Sequence, residues 1–277
     1  MKKAFKIAIC QMNIRNDKNA NLDKACEMVN QATDLGCNMA VLPEMFNCPY
    51  VTANFPDYAE PVPDGNTSIV MRNLAQRNGI YLVGGSIPES DGEGHVYNTS
   101  TVFSPEGQMI ARHRKLHLFD VSITGGISFR ESDTLTRGQE ITTFETEFCH
   151  MGLAICYDLR FPELSRLMVN RGAEVLIFPA AFNTTTGPAH WELLLRSRAV
   201  DNQVWVVAAA PAYDSNFPYP IYGHSLVVNP WGTVTAMAGS DETLVIADID
   251  LQMVSSIREE LPLIKHQRRD IYLLREI

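Results

Sequence analysis

Apolar residues recur along this chain in two rhythms. Leu22, Ala25, Cys26, Val29, Ala32 and Leu35 fall on one face of a helix, and Gly36 stands where such a helix would end. Elsewhere the apolar residues come in short continuous runs such as "KIAIC" (6–10), "MAVLP" (39–43) and "VLIFP" (175–179), which predict buried strands. Turns of the form x-Pro-x-Gly, as in "SPEG" (104–107) and "NPWG" (229–232), predict strand-to-strand hairpins.

These segments occur twice, in the same order. "KIAICQM" (6–12) resembles "GLAICYD" (152–158), and "DLGCNMAVLPEMFN" (34–47) parallels "NRGAEVLIFPAAFN" (170–183). "GIYLVGGSIPE" (79–89) then parallels "QVWVVAAAPAY" (203–213), and "STVFSPEGQMIA" (100–111) parallels "SLVVNPWGTVTA" (225–236). Each half reads strand, helix, strand, helix, strand, hairpin. A helix with one apolar stripe covers only one face of a sheet, so the other face needs a partner, and an equivalent half can supply it. The expectation is an α/β fold, a four-layer α-β-β-α sandwich with an internal pseudo-twofold repeat. It would form a single domain over 1–277, with halves at about 1–111 and 147–250 and a C-terminal extension over 251–277.

Composition narrows the partners. The chain has 277 residues, 45% hydrophobic and 20% charged, as globular proteins do, and its net charge of −9 disfavours nucleic acid or an anionic membrane surface. A small molecule is the expected partner. The opening "MKKAFKIAICQM" is broken by Lys6 and Gln11 and lacks a signal-peptide cleavage pattern, and no apolar run nears the ~18 residues of a membrane helix. The six cysteines include no C-x-x-C pair, which suits reduced thiols in the cytoplasm.

Departures from the repeat mark candidate chemistry. Glu44 in "LPEMFN" stands where the second half has Ala180, just past an expected buried strand. Cys156 has a counterpart in Cys10, but only Cys156 is followed by "YDLRFPE", which reads as a turn into a helix. Both positions lie near the carboxyl ends of strands, where α/β folds commonly place their sites. The link over 112–146 has no duplicate and carries Lys115 and Glu131. His113 and His117 are spaced like ligands on a helix, yet Lys115 lies between them and no matched carboxylate motif accompanies them, so no metal is expected. The glycine pairs at 84–85 and 125–126 lack a phosphate-loop pattern, and no cofactor is implied.

The blocks "LPEMF", "HRKLHLFD" and "ICYDLRFPE" together resemble the nitrilase superfamily, whose signature is a Glu-Lys-Cys triad. "ESDTLTRG", "AFNTTTGPAHWELLLRSRAVDNQ" and "HSLVVNPWG" are similar to the Nit-type omega-amidases. The resemblance implies the four-layer sandwich, commonly as a homodimer or higher homo-oligomer. It also implies hydrolysis of the terminal amide of short 2-oxo dicarboxylic acids such as 2-oxoglutaramate and 2-oxosuccinamate.

Carried onto this sequence, the resemblance makes Cys156 the nucleophile, Glu44 the general base and Lys115 the cation that meets the oxyanion with the backbone N–H of Tyr157. Glu131 would be a second acidic residue orienting Lys115 or the substrate. Lys115 and a helix N-terminus after Cys156 would both favour the thiolate. Arg160 is placed to bind the substrate carboxylate, the alternative being a salt bridge to Asp158 or Glu163. Phe182 and Thr186 would line the pocket with Tyr50 at its edge, while Arg196 and Arg198 read as structural. The sister activity, deaminated glutathione amidase, and other amide or carbamoyl hydrolysis use the same triad. A non-catalytic binding or scaffold protein is the alternative of a different class.

Overall fold

The computed structural model describes residues 4–215 and 219–277. The chain opens with β1 (Ala4–Gln11), α1 (Lys18–Asp34), β2 (Met39–Val41), α2 (Phe55–Tyr58) and α3 (Asn66–Asn78). It continues through β3 (Tyr81–Val83), β4 (Ile87–Ser90), β5 (Val96–Phe103) and β6 (Met109–Arg114). A small hairpin of β7 (Asp120–Ser122) and β8 (Ser128–Arg130) precedes β9 (Thr142–Glu145), β10 (His150–Leu153), α4 (Pro162–Asn170) and β11 (Val175–Pro179). Then follow α5 (Gly187–Asn202), β12 (Trp205–Ala209), β13 (Leu226–Val228), β14 (Val234–Met237), β15 (Thr243–Asp250) and α6 (Gln252–Glu260).

The helix expected before Gly36 forms, with the Asp17 side chain accepting from Asn19 N and Ala20 N at its start. Leu22, Ala25, Val29 and Ala32 are buried, but Leu35 lies past the last turn and is exposed. Gly36, at φ +75°, takes the left-handed conformation that lets the chain leave the helix.

Two sheets form the interior. One runs β15-β1-β2-β3-β5-β4 with β6 added on β5, and the other runs β14-β13-β12-β11-β10-β9. Strands β1, β2 and β3 are parallel, as are β10, β11 and β12, which is the repeat seen in the sequence. Side-chain alternation separates the layers. Ile7, Ile9, Met39 and Val41 of the first sheet join Met151, Leu153, Val175 and Ile177 of the second in one core between the sheets. On the opposite faces, Ala8, Cys10, Ala40 and Leu42 pack with Leu22, Val29 and Leu74 of α1 and α3. Leu176, Phe178, Val206 and Ala208 pack with Met168, Trp191 and Leu195 of α4 and α5. This is the four-layer α-β-β-α sandwich.

The pairing of two strands crosses the boundaries expected from sequence. Residues 243–250 were grouped with the second half, yet β15 pairs with β1 in the first sheet, Ile7 opposite Ala247 and Ile9 opposite Val245. Residues 142–145 fell in the unduplicated link, yet β9 pairs with β10 in the second sheet. Each sheet therefore gains an antiparallel strand outside its first parallel strand, at equivalent places. Among the described residues, no helix is long and apolar enough to cross a membrane.

Candidate active site

Glu44 follows β2, Lys115 follows β6, and Cys156 follows β10, so the loops at the strand ends bring them to one rim. Glu44, Lys115 and Glu131 are fully buried, and Cys156 is 4% exposed. The ammonium of Lys115 donates to Glu44 Oε1 at 2.9 Å and to Glu131 Oε1 at 2.8 Å. Glu44 Oε1 also accepts from Asn98 Nδ2 at 2.8 Å and Tyr50 OH at 3.2 Å, while Oε2 has none of these donors. The Cys156 thiol is among the groups that act on this carboxyl. Glu131 is held at its other oxygen by the Phe119 N–H, at 2.7 Å.

Two carboxylates and one ammonium in a closed space leave an uncompensated negative charge. Burial, together with Glu131, raises the Glu44 carboxyl above its ordinary pKa against the pull of Lys115. Burial works against the Lys115 ammonium, but Glu131 and Glu44 overcome it and raise its pKa well above the usual lysine value. The thiol behaves differently from the sequence expectation. Burial and the Glu44 charge push Cys156 well above the ordinary thiol value, outweighing Lys115 and the Ala181 N–H. At rest Cys156 is therefore held as a neutral thiol near the Glu44 carboxyl.

The segment after Cys156 also differs from expectation. A 3-10 turn covers Cys156–Arg160, and the α-helix begins only at Pro162. Proline disfavours helical backbone at the preceding residue, and Phe161 is extended. Cys156 itself has φ +45°, and Met45, next to Glu44, has φ +51°. Left-handed backbone at such residues is strained and persists only where the surroundings enforce it.

A small pocket touches Cys156 and is lined by Phe119, Tyr157, Arg160, Phe182, Thr186 and Tyr219, among others. The Arg160 guanidinium lies 4.8 Å from the Phe182 ring centroid, and its Nη1 is 3.2 Å from His190 Nδ1. No ion pair joins it to Asp158 or Glu163 among the described residues. Asp158 is instead occupied by His113 and His117. These two histidines are not on a helix: His113 ends inside β6, and both rings point to the same carboxylate.

Tyr50 does not itself line this pocket, but its ring packs on Tyr219, which does. The hydroxyl of Tyr50 is buried against the two acids, 2.8 Å from Glu131 Oε1, and its ring lines a separate cleft beside Glu44. Thr186 turns its hydroxyl to Asn183 Oδ1 at 3.3 Å. Arg198 donates to Leu159 O and Arg196 to Gly232 O, both structural bonds. Asn98 and the Ala181 N–H had not been singled out. A polar residue at an inward position of β5 was the available signal for Asn98.

A sulfur, an acid and an amine converge at the rim of this sandwich, the fold of the carbon-nitrogen hydrolases. The chain belongs to that family, whose carbon-nitrogen hydrolase model matches residues 6–259. It is similar to the mouse omega-amidase NIT2, 49% identical over 268 residues, which are 97% of this chain and 96% of the mouse protein. The human omega-amidase NIT2 is 48% identical over 269 residues, 97% of each chain. Among solved structures, Saccharomyces cerevisiae Nit3, of branch 10 of the nitrilase superfamily, superposes with a TM-score of 0.89 at 40% identity over 97% of each chain.

Proposed function

We propose that this protein hydrolyses the terminal amide of short 2-oxo dicarboxylic acid monoamides, releasing the 2-oxo acid and ammonia through a cysteine thioester. The observation that carries this reading is that Cys156 lines one pocket with Arg160 while the charges of buried Glu44 and Lys115 act on its thiol. Similarity to omega-amidases over nearly the whole chain supports the same substrate class.

Glu44 takes the thiol proton as sulfur attacks the amide carbon. Lys115, with the backbone N–H of Tyr157, meets the negative oxygen of the tetrahedral intermediate, a contribution whose loss typically costs ~100- to 1000-fold. Protonated Glu44 gives its proton to the departing nitrogen, so ammonia leaves and the acyl group stays on sulfur. Water then attacks the thioester while Glu44 accepts its proton, and collapse returns the thiol and the acid. Glu131 holds the ammonium of Lys115 toward this centre. Arg160 pairs with the substrate carboxylate beside the Phe182 face and Thr186, while Tyr50 fixes the two acids relative to each other.

We read the enzyme as cytoplasmic and homodimeric. All six cysteines are free, which supports a reducing compartment. Leu193 and Val200, exposed on α5 beside exposed Trp231, offer an apolar face for a second copy.

Ammonia release should be measured with 2-oxoglutaramate, 2-oxosuccinamate, deaminated glutathione, glutamine and a simple nitrile. The two short 2-oxo acid amides should have the highest kcat/KM, and Arg160→Leu should raise their KM about tenfold or more. Preference for deaminated glutathione, or an unchanged KM in that variant, would contradict the substrate assignment.

A further inference from the structure

The structure assigns Asp158 and His117 as positioning residues that set Cys156 against Lys115. Lys115 is bracketed two residues before and two after by His113 and His117, and Asp158 lies two residues after Cys156. The Asp158 carboxylate joins these segments. Its Oδ2 accepts from His113 Nε2 at 3.1 Å and from the Ile155 N–H at 3.0 Å. Its Oδ1 accepts from the His117 N–H at 2.9 Å and from His117 Nδ1 at 2.7 Å.

Each bond has a consequence for the reacting atoms. Ile155 is the residue before the strained elbow, so its bond to Asp158 closes the turn that holds Cys156 at positive φ. The bonds to His113 and His117 fix that turn to the segment carrying Lys115 on both sides. A carboxylate is acceptor-only when ionised, so both rings must present N–H to it. Burial opposes the Asp158 charge, but bonds from His113 and His117 overcome it and hold the carboxyl well below its ordinary value. Asp158 thus remains an acceptor throughout the working pH range. The His117 ring also stacks on Phe161 at 3.6 Å between centroids, so the clamp extends to the residue after the turn.

Side-chain packing of His117 can be separated from its hydrogen bond. Its side chain is 34% exposed, so replacement is compatible with folding. His117→Phe keeps the stacked ring and removes the Nδ1–H, whereas His117→Asn restores a donor near that position and removes the ring. The readouts are kcat and KM for ammonia release, and the rate at which iodoacetamide alkylates Cys156, followed by peptide mass.

For His117→Phe, both kcat and the alkylation rate should fall about tenfold, the equivalent of one charge-assisted hydrogen bond, with KM within about threefold. His117→Asn should recover most of both. Asp158→Asn should lose more than His117→Phe; if it does not fold, the His117 pair decides. Equal losses in the Phe and Asn variants, no loss in either, or a loss confined to KM would overturn the assignment. Because this rests on Cys156 as the nucleophile, alkylation separates the two readings. If the parent protein releases no ammonia from any 2-oxo acid amide, the substrate reading fails while the alkylation rates still judge the clamp.

Discussion

Lys115 faces two carboxylates that it cannot both neutralise, and burial of this group raises the Glu44 carboxyl. A carboxylate made more basic in this way is a better match for a thiol whose own pKa has been pushed up. In the proposed mechanism Glu44 acts ionised, so kcat/KM should fall as pH drops through its raised pKa, with the acid limb above the ordinary carboxyl value of 4.5. Glu131→Gln removes a negative neighbour, so that limb should move to lower pH while kcat decreases. A limb that stays fixed or moves upward in a kcat/KM–pH profile would contradict this electrostatic origin. At this scale the gathering of Glu44, Lys115, Glu131 and Cys156 at one rim was legible. Glu44 and the segment around Cys156 break a repeat that packing would have preserved, and Lys115 and Glu131 lie where no repeat exists. Asn98 and the role of Asp158 were hidden, because each sits in an ordinary-looking stretch and gains its meaning from partners distant in sequence.

The elements transmit this geometry through close packing. A Cβ on Gly152 would lie 2.7 Å from Leu176 Cδ2 and 2.8 Å from the Met168 sulfur, so a side chain there would force these two buried side chains between β10, β11 and α4 to shift. Gly152→Ala should cost about 1–3 kcal/mol of stability by overpacking. Thermal unfolding should show a Tm several degrees lower, and kcat should fall with it because Gly152 lies four residues before Cys156; an unchanged Tm would mean the neighbours give way freely. Helix α1, the parallel strands and the hairpins were readable from periodicity and turn residues. The sheet assignments of β9 and β15 were not, since a local pattern marks a strand but its partner is set by contacts far along the chain. The 3-10 turn after Cys156 was masked in a similar way: "YDLRFPE" does lead into a helix, but Pro162 fixes where that helix starts.

The molecule as a whole divides its tasks between duplicated and unique parts. Two matching sheets bury one apolar core and make a rigid frame, and the loops where the halves differ carry the charged groups. The link between the halves supplies Lys115 and Glu131, which explains how a buried cation and its two acids can be assembled at a single rim. The central claim is that this rim makes and breaks a thioester on Cys156. Turnover with 2-oxoglutaramate should be stopped with acid within the first turnovers, and the protein digested for peptide mass analysis. The account predicts the mass of the 2-oxo acyl group on the peptide containing Cys156, lost on treatment with hydroxylamine and absent in Cys156→Ser. Ammonia release with no acyl group on that peptide, or with full activity in Cys156→Ser, would contradict it.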